Sequence, residues 1–145
     1  MKLYLDTSSL VKVFVAETGS DAVRKLVAKA AAVCTSTVAY AEARGTFARL
    51  RRAGQLDASA FASAKREFEA YWPTYLTVNA SGSLCREAGE LAEQFGLRGF
   101  DGIHLASFAE VAREAGIEET NFSSFDDRLN EAARGLRRTL TRRQG

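Results

Sequence analysis

The chain reads as an α/β domain built around a mainly parallel sheet. Three observations carry that reading. Strand-like and helical patterns alternate from end to end. No internal repeat, low-complexity tract or Pro/Gly-rich linker divides the sequence, and Pro73 is the one proline. The 145 residues, 46% hydrophobic and 26% charged, suit a single domain over 1–145 with one core.

The first strand is expected over Lys2 to Asp6, in the apolar run Leu3-Tyr4-Leu5. A short helix follows from about Ser8 to Ala16, with Thr7 or Ser8 able to cap it. A second runs from about Ser20 to Ala31 and places Ala22, Val23, Leu26, Val27 and Ala30 on one face. Ala32 to Ser36 reads as the second strand. The third helix begins near Thr37, carries Val38, Ala41, Phe47 and Leu50, and stops at Gly54. Asp57 is placed to cap a fourth helix bearing Phe61, Phe68, Tyr71 and Trp72, which ends before Pro73. Tyr75 to Val78 forms the third strand, and Ser81 to Phe95 a helix closed by Gly96. Leu97 to Phe100 connects to a helix over Asp101 to Ala115. Thr120 to Phe125 is the next strand, followed by a short helix from Asp127 to Arg134. The last segment, about 135–145, reads as a basic tail, with Arg137 to Leu140 pairing as an edge strand.

Several function classes fall away on composition. Two distant cysteines and one histidine do not make a zinc site, and Cys34 and Cys85 are expected to be buried thiols. No apolar stretch approaches a membrane span, and nothing at the N-terminus resembles a leader, so a cytoplasmic protein without membrane contact is expected. The net charge of +2 does not by itself announce nucleic acid. Its distribution is more telling, because Arg44, Arg49, Arg51 and Arg52 cluster in one helical stretch and Arg134 to Arg143 form a second group.

Four acids stand where a carboxylate is costly unless something binds it. Asp6 ends the first apolar run. Glu42 lies beside the apolar face of the third helix. Asp101 opens the helix in Gly99-Phe100-Asp101-Gly102-Ile103-His104-Leu105-Ala106, and Asp126 lies at the carboxyl end of the strand over Thr120 to Phe125. Gathered at one point, such carboxylates repel each other and hold protons unless a cation lies among them. The simplest resolution is a hard divalent ion, Mg²⁺ or Mn²⁺, and the corresponding chemistry is phosphodiester hydrolysis. Read singly, these acids have plainer roles: Asp6 and Asp101 as helix caps and Glu42 as half of a surface ion pair, while Asp127, beside Asp126, is placed as a cap of the final helix or a partner of Arg128. His104, three residues past Asp101, could hold a carboxylate or contact substrate.

Taken in order, Leu-Asp-Thr-Ser, Tyr-Ala-Glu-Ala, Phe-Asp-Gly-Ile-His-Leu-Ala and Ser-Phe-Asp-Asp-Arg-Leu resemble the motifs of the PIN-domain nucleases. The resemblance runs from Met1 to about Arg134 and is nearest to the VapC-type ribonuclease toxins of toxin–antitoxin pairs. It implies a PIN-like (Rossmann-like) three-layer sandwich, a parallel sheet of about five strands flanked by helices, with the acids at one end. It implies that Asp6, Glu42, Asp101 and Asp126 coordinate Mg²⁺ or Mn²⁺ and carry catalysis, with Ser8 and Ser124 in support. It implies an RNA substrate, transfer or ribosomal, a homodimer, and a cognate antitoxin lying in the site. Arg44, Arg49 and His104 are the residues expected to meet substrate or antitoxin. Two other functions fit a chain of this kind: an RNA-maturation nuclease without antitoxin, and a non-enzymatic binding module whose acids are caps and surface charges.

Overall fold

Parallel pairing gathers one end of every strand at the same edge of the molecule. The computed structural model describes residues 1–145. β1 (Lys2–Leu5), β2 (Ala32–Ser36), β3 (Leu76–Val78) and β4 (Thr120–Ser123) form one sheet in the order β3-β2-β1-β4, all neighbours parallel. Lys2 lies opposite Ala32 on one side and Thr120 on the other, and Leu5 opposite Ser123. The chain steps from β1 to β2 and β3 in one direction, then returns to place β4 on the far side of β1. That reversal opens a crevice at the carboxyl ends of β1 and β4.

Seven helices cover both faces: α1 (Thr7–Phe14), α2 (Ser20–Lys29), α3 (Val38–Arg52), α4 (Ala58–Tyr71), α5 (Gly82–Phe95), α6 (Gly99–Ala115) and α7 (Asp127–Gln144). Alternation along β1 sorts the core. Leu3 and Leu5 pack with α1 to α4 against Phe14, Phe47 and Phe68. Tyr4 turns to the other face and packs with α5, α6 and α7. There it stacks on Phe122 at 5.8 Å between ring centres and meets Phe108 edge-on at 6.3 Å. α6 is apolar nearly all round, as a helix enclosed by neighbours must be: Leu105, Ala106, Phe108 and Ala109 are fully buried.

Four of the seven helices start where short polar side chains take up free amides. Asp6 accepts from Ser9 N, Asp57 from Ala60 N, Ser81 from Leu84 N and Asp126 from Leu129 N. The capping roles foreseen for Asp6 and Asp57 are therefore present, whereas α7 is capped by Asp126 and not by Asp127, which lies in its first turn. Asp101 is not a cap, because α6 begins two residues earlier at Gly99 and sets Asp101 in its first turn.

The C-terminal segment departs from expectation. Arg137 to Leu140 is not an edge strand, and α7 does not stop at Arg134; one helix runs to Gln144, so the sheet has four strands rather than about five. The reason is spacing. Leu129, Ala132, Ala133, Leu136 and Leu140 recur every three to four residues and are all buried against α6 and the sheet. Arg137 locks the helix down by donating to Ile117 O at 2.8 Å and Thr120 O at 2.7 Å. Cys34 is buried as expected, but Cys85 is exposed on the outer side of α5. No helix is long and apolar enough to cross a membrane.

Candidate active site

Asp6, Glu42, Asp101 and Asp126 all line one cleft of about 540 Å³ at the carboxyl ends of β1 and β4. Each arrives on a different element. Asp6 follows β1, Glu42 projects from α3, Asp101 from the first turn of α6, and Asp126 opens α7. Asp127 does not line the cleft.

Asp6 is 4% exposed and is held on both oxygens. Oδ1 accepts from Ser8 Oγ at 2.7 Å and Ser9 N at 3.0 Å; Oδ2 accepts from Ser124 Oγ at 2.5 Å. The two serines also tie down the opposite wall: Phe125 N donates to Ser8 Oγ and Asp126 N to Ser124 Oγ. Ser8 and Ser124 thus orient Asp6 and fix the turn that carries Asp126.

Glu42 Oε1 accepts from Thr7 Oγ1 at 2.7 Å and from His104 Nε2 at 2.9 Å. Burial works to raise its carboxyl, but these two hydrogen bonds outweigh burial and hold it below its ordinary value. Asp101 is pushed the other way. Burial raises its carboxyl first, and the charges of Asp126 and Asp6 raise it further against the opposing pull of Arg98. Two of the other acids therefore act on Asp101 electrostatically across the cleft.

The donor set suits one class of ion. Carboxylates supplemented by the hydroxyls of Thr7 and Ser8 are all-oxygen ligands, the preference of Mg²⁺ or Mn²⁺ rather than zinc. As the side chains stand, no three acidic, histidine or cysteine groups close around a single point. The match is one of chemistry and shared cleft.

A basic rim faces the acids. Lys12, Arg49 and Arg98 line the cleft, while Lys12 also pairs with Glu17 at 3.0 Å. Of the two α3 arginines expected to meet substrate or antitoxin, Arg49 lines the cleft. Arg44 does not: its guanidinium reaches Glu69 at 2.7 Å and Tyr40 at 2.8 Å, bridging α3 to α4 away from the cleft. Five positions separate the two arginines, which on a helix turns them to different faces. Lys12, Arg98, Thr7 and Phe125 are cleft residues that sequence reasoning missed. Thr7 and Phe125 each adjoin a recognised acid, and Arg98 falls in the short link before Asp101. Lys12 is five residues beyond Thr7 and carried no signal beyond its charge. Phe125 is 46% exposed at the mouth, with Lys12 Nζ 4.5 Å above its ring centre.

The family model described as PIN domain matches residues 3–135. This chain belongs to the PIN-domain family. Among PIN-domain proteins it is similar to Ribonuclease VapC45 and Ribonuclease VapC49 of Mycobacterium tuberculosis. Each is 36% identical over 109 residues, covering 75% of this chain and 76% of the relative. Those similarities place it with the VapC-type members. Solved structures share the fold. VapC20 of M. tuberculosis, described as a sarcin–ricin loop cleaving toxin, superposes with a TM-score of 0.63 at 20% identity, over 90% of this chain and 94% of its own. PAE2754 of Pyrobaculum aerophilum gives a TM-score of 0.63 at 18% identity, over 98% and 90%. VapBC2 of Rickettsia felis, solved bound to a promoter DNA fragment, gives 0.52 at 17% identity, over 87% and 100%.

Proposed function

We propose that this PIN-domain protein is an endoribonuclease that requires Mg²⁺ or Mn²⁺ and serves as the toxin of a toxin–antitoxin pair. The observation that carries the reading is the convergence of Asp6, Glu42, Asp101 and Asp126 from four elements onto one cleft with a basic rim. The names of its M. tuberculosis relatives support RNA as the substrate class. Asp6, Glu42, Asp101 and Asp126 are the residues that would hold the ion. Once bound, a divalent ion supplies a hydroxide-like nucleophile near neutral pH and neutralises charge that builds on the phosphate.

The protein's own part is orientation and charge. Ser8, Ser9 and Ser124 hold Asp6 in one rotamer, and Thr7 and His104 hold Glu42. Arg49, Arg98 and Lys12 offer positive charge to the phosphates on either side of the scissile bond. The exposed ring of Phe125 offers an unpaired base a stacking surface at the cleft mouth. An antitoxin segment bearing a carboxylate would meet the same cations, as substrate does. A homodimer working in the cytoplasm completes the proposal.

Incubating the purified protein with total RNA and sequencing the new ends tests it. Cleavage is expected with Mn²⁺, is lost in EDTA, and returns when Mn²⁺ exceeds the chelator. Cleavage that persists in EDTA would rule out a metal-dependent reaction.

A further inference from the structure

The chain's single histidine stands between the cleft and the core. His104 is 2% exposed. Its Nδ1 lies 2.9 Å from the Tyr4 hydroxyl; its Nε2 lies 2.9 Å from Glu42 Oε1 and 3.2 Å from Thr7 Oγ1. A neutral imidazole donates from one nitrogen and accepts at the other, and its partners decide which.

Here both partners point to the same answer. Tyr4 is fully buried in β1, and burial pushes its phenol well above the ordinary value, so the phenol keeps its proton and needs an acceptor. The nearby hydroxyls give their own protons to main-chain carbonyls, Thr35 to Leu5 O and Ser107 to Ile103 O, both at 2.7 Å. Nδ1 is the group within hydrogen-bond distance that can take the phenol's proton. On the opposite side, an ionised Glu42 can only accept, and Thr7 already donates to the same oxygen. A lone pair at Nε2 would oppose the carboxylate, whereas a hydrogen there binds it.

We infer that Tyr4 fixes His104 as the Nε2–H tautomer and that the imidazole so fixed is a positioning residue for Glu42. Protons run in one direction along the series, Tyr4 O–H to Nδ1 and Nε2–H to Glu42 Oε1. Tyr4 Oη and His104 reach Glu42 from inside the fold, so a core tyrosine on β1 sets the orientation of a carboxylate on α3. The positioning role rests on the reading of the cleft as a cation site; the tautomer does not.

Long-range ¹H–¹⁵N correlation on the metal-free protein at mildly alkaline pH reads the tautomer without assignment ambiguity, because there is one imidazole. The expected spectrum shows Nδ1 unprotonated and Nε2 protonated. The opposite tautomer, an imidazolium, or fast averaging of both tautomers would overturn the inference. In Tyr4→Phe the phenol donor is gone and Glu42 alone selects the form, so a larger share of the Nδ1–H tautomer than in the wild type is expected. A spectrum unchanged from the wild type would show that Tyr4 does not fix the ring.

Mn²⁺ titration of His104→Gln and His104→Ala tests the positioning. The Gln side chain keeps a donor near Nε2 and should bind nearly as the wild type does. The Ala variant should lose about tenfold to a hundredfold in affinity, the range for groups that orient a ligand from behind. Equal losses in both variants, or none in the Ala variant, would refute it. A wild-type protein with the expected tautomer and no Mn²⁺ binding would fault the cation site and leave the tautomer standing.

Discussion

The Asp101 carboxyl couples the stability of the fold to pH. Burial, then Asp126 and Asp6, raise its carboxyl in the fold, so the folded state holds that proton more tightly than the unfolded chain does. Its favourable contribution is fully present below the ordinary carboxylate value and is lost as pH rises through the elevated one. In chelator at neutral pH, Asp101→Asn should therefore melt above the wild type, by up to about 2–4 °C, with the gap closing in acid. A lower melting temperature at neutral pH would contradict the charge crowding. The two arginines of α3 give a second contrast. Arg49→Ala removes a cleft cation and should weaken RNA binding and flatten its salt dependence. Arg44→Ala breaks a partly exposed pair with Glu69 and should cost about 0.2–1 kcal/mol in stability while RNA binding holds. Filter binding across a salt series, with urea unfolding alongside, checks both; equal weakening of RNA binding by the two variants would return Arg44 to the site.

Helix packing decides where the acids can stand. α5 and α6 approach closely at Gly102, where a Cβ would lie 2.5 Å from the Ala88 carbonyl oxygen. Gly102→Ala must push the helices apart, at a cost of about 1–3 kcal/mol by chemical unfolding. Because Asp101 precedes it in the same turn, cleavage should fall as well; a variant with wild-type stability and cleavage would show that the contact is slack. The elements most easily read from sequence were those with a strong local mark. Asp57 and Ser81 announce helix starts, Gly96 and Gly116 announce ends, and alternating Leu3-Tyr4-Leu5 announces a two-sided strand. α7 was misread because its buried residues are widely spaced among arginines, and because Gly135, which suggests a stop after Arg134, instead lies inside the helix packed against Phe95. At the cleft, the four acids were legible through their motifs. The direction of Arg44 was not, since its partner Glu69 lies 25 residues away on α4. The same holds for Tyr4, which looks like an ordinary core residue until α6 brings His104 to its hydroxyl.

The whole molecule works as a device for converging one end of its strands. Parallel order β3-β2-β1-β4 brings residues as distant as Asp6 and Ser124 into hydrogen-bond contact, and covering helices on both faces add Glu42 and Asp101. Net charge near neutrality conceals the result, an acidic centre within a basic rim. That arrangement suits a cation that in turn attracts phosphate. Isothermal calorimetry of Mn²⁺ into the metal-free wild type, Asp6→Asn and Asp101→Asn puts the convergence to the test. Saturable uptake by the wild type is expected, weakened by about tenfold or more in each folded variant. Negligible uptake by all three proteins, or equal uptake by all three, would mean that these carboxylates do not share an ion.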